Sequence, residues 1–156
     1  MSLRELASGN RTGAKSKKRR KTRGLSSKDS KKIKRLGYRA ERQLVEKPRA
    51  AGFKAVRIPV SAPSSEPLPD VFAVKGGCML ALEVKATNGE RVYFKKPQVN
   101  KLFRFLEMFE VYAEKRAILV GKFPRKWVFK QAEKVDDYVL HKNDKSSFQL
   151  KLKTET

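Results

Sequence analysis

Two near-continuous apolar runs, Val71-Phe72-Ala73-Val74 and Met79-Leu80-Ala81-Leu82-Glu83-Val84, flank Lys75-Gly76-Gly77 and constrain the fold more than any other stretch. A short glycine link between two strand-type runs signals a β-hairpin. Runs with so little polar alternation suit strands covered on both faces, so further layers must pack on each side. Phe53-Lys54-Ala55-Val56-Arg57-Ile58 alternates as an earlier strand, and a Pro/Ser-rich loop over 59–69 separates it from the hairpin.

The covering layers are legible as helices. Ser26-Ser27-Lys28-Asp29 fits a capping box, and Ile33, Leu36, Ala40 and Leu44 follow at helical spacing. This predicts a first helix over roughly 30–47, stopped or kinked by Pro48 and ended at Gly52. Pro97 suits the first turn of a second helix with the stripe Val99, Leu102, Phe103, Leu106 and Phe109. Ala117–Val120 and Trp127–Phe129 read as buried strands, and Tyr138–Leu140 and Phe148–Leu152 as weaker ones. The order α-β-β-β-α-β-β predicts an α/β fold with a central mixed sheet flanked by helices.

Charge narrows the function. The 156 residues carry 38 Lys+Arg against 16 Asp+Glu, a net of +22. Residues 1–36 contribute +12 and residues 37–156 the remaining +10. An excess of this sign and size points to a phosphate polymer, because Lys and Arg displace its condensed counterions. Residues 1–25, with Lys17-Lys18-Arg19-Arg20-Lys21, hold too few apolar side chains to repay ordering and are expected to be a disordered basic arm. Residues 26–156 are then expected to form one domain. No stretch approaches the roughly 18 apolar residues of a membrane span, nor is there a signal-peptide run, so a soluble, cytoplasmic, nucleoid-associated protein is expected. Cys78 alone excludes an internal disulfide and a cysteine-based zinc cluster, and His141 alone excludes chemistry that needs two histidines.

The chemistry concentrates in Pro69-Asp70 and Glu83-Val84-Lys85. Strand residues i and i+2 share a face, so Glu83 and Lys85 point one way while Leu82 and Val84 point the other. The hairpin sets Asp70 beside the end of the next strand, converging two acids and a lysine at one sheet edge. Carboxylates suit Mg²⁺, which polarises a phosphoryl oxygen and lowers the pKa of water. The lysine can orient that water or offset charge building on phosphate. The plain alternative is a Glu83–Lys85 ion pair on a solvated face, but the apolar flanks require a reason for charge inside a buried strand.

These motifs resemble the PD-(D/E)-x-K nucleases, whose sheet architecture is restriction-endonuclease-like, and within them the archaeal Holliday junction resolvases. Gly37-Tyr38-Arg39-Ala40-Glu41-Arg42-Gln43-Leu44 is similar to the first-helix motif of that family. Gly52–Arg57 with Ser61 is similar to its first strand and catalytic loop, and Asp70–Ala73 with Leu82–Thr87 to its metal hairpin. Gln98 and Leu102 fall in the following helix, and Lys126–Phe129 in a late strand, so the likeness spans roughly 36–153. The resemblance implies that Glu41, Asp70, Glu83 and the Val84 carbonyl bind one or two Mg²⁺, with Mn²⁺ able to substitute. Lys85 would position the attacking water, while Arg42, Arg57 and Ser61 would hold DNA near the scissile bond. Ser64 and Ser65 compete with Ser61 for that place. It further implies a homodimer that cuts opposite strands of a four-way junction, with 26–156 as the nuclease domain. Two other readings stand beside it: a related nuclease acting on forks, mismatches or restriction sites, and a non-cleaving nucleic-acid-binding protein of the same fold.

Overall fold

The computed structural model describes residues 24–59 and 64–151. The expected arm up to residue 23, the expected catalytic-loop Ser61 and the last five residues lie outside them.

Helix α1 (Ser27–Ala50) begins at Ser26, whose Oγ accepts the Asp29 N–H at 3.2 Å and donates to the Asp29 carboxylate at 2.7 Å. Ser26 therefore caps the helix, but the predicted capping box forms only in part, because the Asp29 carboxylate takes the Ser26 hydroxyl and not its backbone N–H. Its end differs from the expectation: Pro48 does not stop the helix, which continues to Ala50. Proline forfeits only one helical hydrogen bond here in the last turn, and its ring is buried. Termination falls to Gly52, at φ 86°, a conformation that costs glycine little. Gly52 N–H donates to the Arg49 carbonyl at 3.0 Å and Phe53 N–H to the Pro48 carbonyl at 2.9 Å, a Schellman ending.

The chain then forms β1 (Lys54–Arg57), β2 (Val71–Lys75), β3 (Cys78–Ala86), β4 (Arg91–Phe94), α2 (Lys96–Glu107), β5 (Glu114–Phe123), β6 (Lys126–Ala132) and β7 (Tyr138–His141). A five-stranded sheet runs β1-β2-β3-β5-β6, antiparallel except for the parallel β3–β5 pair, and is mixed as expected. Register pairs Lys75 with Cys78 across Gly76-Gly77. Two features were not expected. Arg91–Phe94 forms β4, which pairs with β7 in a separate two-stranded sheet. No strand forms over 148–151; there Ser147 N–H donates to the Phe129 carbonyl at 2.9 Å.

Both faces of the central sheet are covered, as the apolar runs require. On one side Leu44 and Val45 of α1 pack with Val71, Ala73, Leu80, Leu82, Ile118 and Val120. On the other, α2 and the small sheet pack on Met79, Ala81 and Leu119 through Val99, Leu102, Phe105, Phe94 and Leu140. Each fully buried side chain of this size contributes roughly 1.5–3 kcal/mol. The predicted α1 stripe is only half used: Ala40 and Leu44 are buried, whereas Ile33 is exposed. Phe105 is core and meets Phe72 and Phe109 at ring-centroid distances of 5.8 and 5.1 Å. Among the described residues no helix is long and apolar enough to cross a membrane.

Candidate active site

Pro69 supplies no N–H to a ladder, so β2 begins only after it and leaves the flanking strand with a free edge. Asp70 fills that gap. Its N–H donates to the Leu82 carbonyl at 3.1 Å, and its Oδ2 accepts the Val84 N–H at 2.8 Å. A strand residue's N–H and C=O point to the same side, so the Val84 carbonyl also faces the space where β2 has ended. Alternation along β3 puts Glu83 and Lys85 on the α2 side with Met79 and Ala81, as the sequence predicts. The cluster lies at the end of the central strand, not at a sheet edge as expected, since β5 flanks β3 on its far side.

Glu83 is the single buried charged residue among the described residues, at 6 % exposure. It does not pair with Lys85. Its Oε2 lies 2.8 Å from the Nζ of Lys101 on α2, while the Lys85 ammonium stands 5.5 Å from the centre of the Phe94 ring. Burial, then the neighbouring Asp70 charge, push the Glu83 carboxyl up from the ordinary 4.5 to about 8, against the pull of Lys101 and Lys85. Asp70 is also raised, by burial and by Glu41, with the Val84 N–H and Lys101 opposing. Lys85 is lowered, chiefly by burial.

Glu41 reaches the cluster from α1, but its Oε2 accepts from Arg57 Nη1 at 3.0 Å. The three acids do not close on one point: among the described residues no three His, Cys, Asp or Glu side chains stand close enough together to share an ion. Arg42 is exposed on α1. Ser64 Oγ accepts the Glu66 N–H at 3.1 Å within the loop, and Ser65 is exposed. The structure therefore brings together Asp70, Glu83, Val84 and Lys85, sets the Glu41–Arg57 pair beside them, and adds Lys101. Sequence reading passed over Lys101 although it lies in the α2 row between Gln98 and buried Phe105, where a lone lysine stands out.

Two carboxyls stand side by side largely out of water, with a buried Glu83 oxygen whose charged neighbour is a partly exposed lysine on another element, so burial is compensated only in part. Hard oxygen donors of this kind fit a divalent cation such as Mg²⁺.

The same electrostatics makes stability depend on pH. Between about pH 5 and 8 the folded protein binds a proton at Glu83 that the unfolded chain does not, so stability declines as pH rises through that window. Glu83→Gln is neutral throughout. Without divalent ions it should exceed the native chain by on the order of 1–3 kcal/mol, several degrees in Tm, at about pH 9, and converge with it near pH 5. Thermal unfolding in chelator across that range checks it, and a variant less stable at high pH would contradict the origin given for the shift.

Comparison with known proteins places the chain. Residues 32–156 match the family model described as archaeal Holliday junction resolvase (hjc). The crossover junction endodeoxyribonuclease Hje of Sulfolobus acidocaldarius is 50% identical over 94 residues, covering 59% of this chain and 66% of that protein. Hje of Saccharolobus solfataricus is 41% identical over 105 residues, covering 67% of this chain and 78% of that one. The fold matches the crystal structure of Archaeoglobus fulgidus Hjc, a Holliday junction resolvase, with TM-score 0.56 and 29% identity over 67% of this chain and 88% of that one. The chain belongs to the archaeal Holliday junction resolvase family.

Proposed function

We propose that the Asp70–Glu83–Lys85 cluster hydrolyses phosphodiester bonds of four-way DNA junctions in a Mg²⁺-dependent reaction, with Mn²⁺ able to substitute. Junction endonuclease activity is that of the family, and the buried Glu83 carboxyl converging on Asp70 at the end of β3 carries the assignment to these residues. The Asp70 and Glu83 carboxylates and the Val84 carbonyl would be the donors for one or two ions, and Glu41 would join them if freed from Arg57. The ion supplies Lewis-acid polarisation of the phosphoryl oxygen and a more acidic water. Asp70 keeps the ligand geometry rigid by holding the Val84 N–H. Lys85 orients the attacking water and offsets charge growing on phosphate as the new O–P bond forms and the ester P–O bond breaks. Its depressed pKa reflects an ammonium half removed from water, which strengthens its interaction with phosphate. Arg42, exposed on α1, would bind a flanking phosphate, and Arg57 would do so once parted from Glu41.

Paired cuts need two sites, and one chain supplies one cluster, so the working unit is proposed to be a homodimer. Exposed Met108 and Val111, just beyond α2, are apolar surface suited to such a contact. The test is Mg²⁺-dependent cleavage of four-way junction, fork, mismatch and plain duplex, with sedimentation of the free protein. Cutting the junction roughly tenfold or more faster than duplex, by a dimer and with chelator abolishing it, is expected. Preference for another branched or mismatched substrate would favour a related nuclease, and tight binding without cutting would favour a non-cleaving protein.

A further inference from the structure

Lys101 lies outside every motif that singled out the site, yet it makes the closest charged contact there. Its Nζ is 2.8 Å from Glu83 Oε2, the distance of a charge-assisted contact once the carboxyl is ionised. Lys85, on the same strand face, does not take this place. The pair is asymmetric: the Glu83 side chain is 8% exposed and that of Lys101 29%. The carboxylate is fixed by the central strand, whereas the ammonium rides on a flexible four-carbon stem with a route to water. Val99, Leu102, Phe105 and Leu106 anchor α2 on the sheet, so the stem starts from a fixed point.

We propose that Lys101 is the resident counter-ion of Glu83, held where positive charge is required, and that a divalent cation must displace it to engage the carboxylate. Ammonium and cation then compete for one ligand, and Lys101 sets how tightly the metal binds. The inference rests on the reading of Asp70 and Glu83 as metal ligands. A dication and an ammonium repel strongly at short range in a partly buried site, so they do not share Oε2. Lys101 swings toward solvent when the ion enters and returns when it leaves, which spares Glu83 from standing buried without a partner.

The test is Mn²⁺ titration of the full chain without DNA, followed by the electron paramagnetic resonance signal of the free ion. Titration at several pH values between about 7 and 9 separates proton competition at the carboxyls, which loss of Lys101 increases, from the effect of Lys101 on the ion itself, and affinities are compared at the high-pH limit. The variants are Lys101→Met, Lys101→Gln, Lys101→Arg and Glu83→Gln, each checked by thermal unfolding. Lys101→Met and Lys101→Gln should bind Mn²⁺ roughly three- to tenfold more tightly than the native chain, and Lys101→Arg, which keeps the charge, within about twofold of it. Either neutral variant suffices if the other does not fold. Unchanged or weaker affinity in a folded neutral variant overturns the counter-ion role. If Glu83→Gln leaves native Mn²⁺ binding intact, the metal-ligand reading falls first and the inference with it, a result distinct from a native site that Lys101 does not tune.

Discussion

Asp70→Asn and Glu83→Gln are each expected to slow junction cleavage by on the order of 10³-fold or more while leaving junction affinity within about threefold of native. The asymmetry follows from charge. Neither carboxyl attracts phosphate, in a chain with a large excess of Lys and Arg, so neutralising either takes away a proposed metal donor without removing a DNA contact. Asparagine at 70 still offers an oxygen to the Val84 N–H, now 2.8 Å from the Asp70 carboxylate, so the hairpin should persist. What it loses is the negative charge that the proposed divalent ion requires. Lys85→Ala should also lose cleavage, by on the order of 10²-fold or more, but with slightly weaker binding because a cation is removed. The measurement is single-turnover cleavage at saturating protein, with affinity by anisotropy in chelator. Native-rate nicking by either carboxyl variant would remove that residue from the chemistry, and equal losses of binding and cleavage would mean a damaged fold.

How much of this site could be read from sequence depends on the range of the interaction that builds each part. The shared face of Glu83 and Lys85 follows from the two-residue period of a strand, a local rule, and it holds. Asp70 needed one more step, the register of a tight hairpin, and the Lys75–Cys78 pairing supplies it. Glu41 was reachable only through family likeness, because no local rule says which turn of α1 crosses the end of β3. Its pairing with Arg57 was not foreseen for the same reason. Lys101 was missed although its position on α2 was clear, since its partner lies on a strand 18 residues earlier and across a layer. The nearer Lys85 was the natural partner for Glu83 on spacing alone.

The fold shows the same division. The Ser26 helix start and the apolar runs are local and hold, whereas β4 is four residues long and exists through pairing with β7. Its alternation, with Val92 and Phe94 buried and Arg91 and Tyr93 exposed, is too short to distinguish from a loop without that partner. Pro48 is the converse case. The rule that proline ends helices concerns the interior, and burial of the ring in the last turn outweighed it.

Deleting residues 1–25 is expected to weaken binding to junction and to plain duplex by a similar factor, on the order of 10–10² at moderate salt. That segment holds nine Lys/Arg and one acid and lies outside the motifs that build the site. Each phosphate contact adds about 0.9 to the slope of log affinity against log salt, so nine cations bound the loss of slope at about 8. Phosphates are alike on every DNA form, so contacts of this kind position a protein without reading branch geometry. Residues 26–156 keep 29 Lys/Arg against 15 acids, enough to attract DNA without the arm. Asp70, Glu83, Lys85 and Lys101 all lie in that remainder, so the cleavage rate at saturating protein should change by less than about twofold. The measurement is a salt series of affinities on both DNAs for the full chain and for 26–156, with single-turnover rates at saturation. A truncated chain that loses junction preference, or cuts slowly when saturated, would show that the arm takes part in recognition or catalysis and does more than add charge.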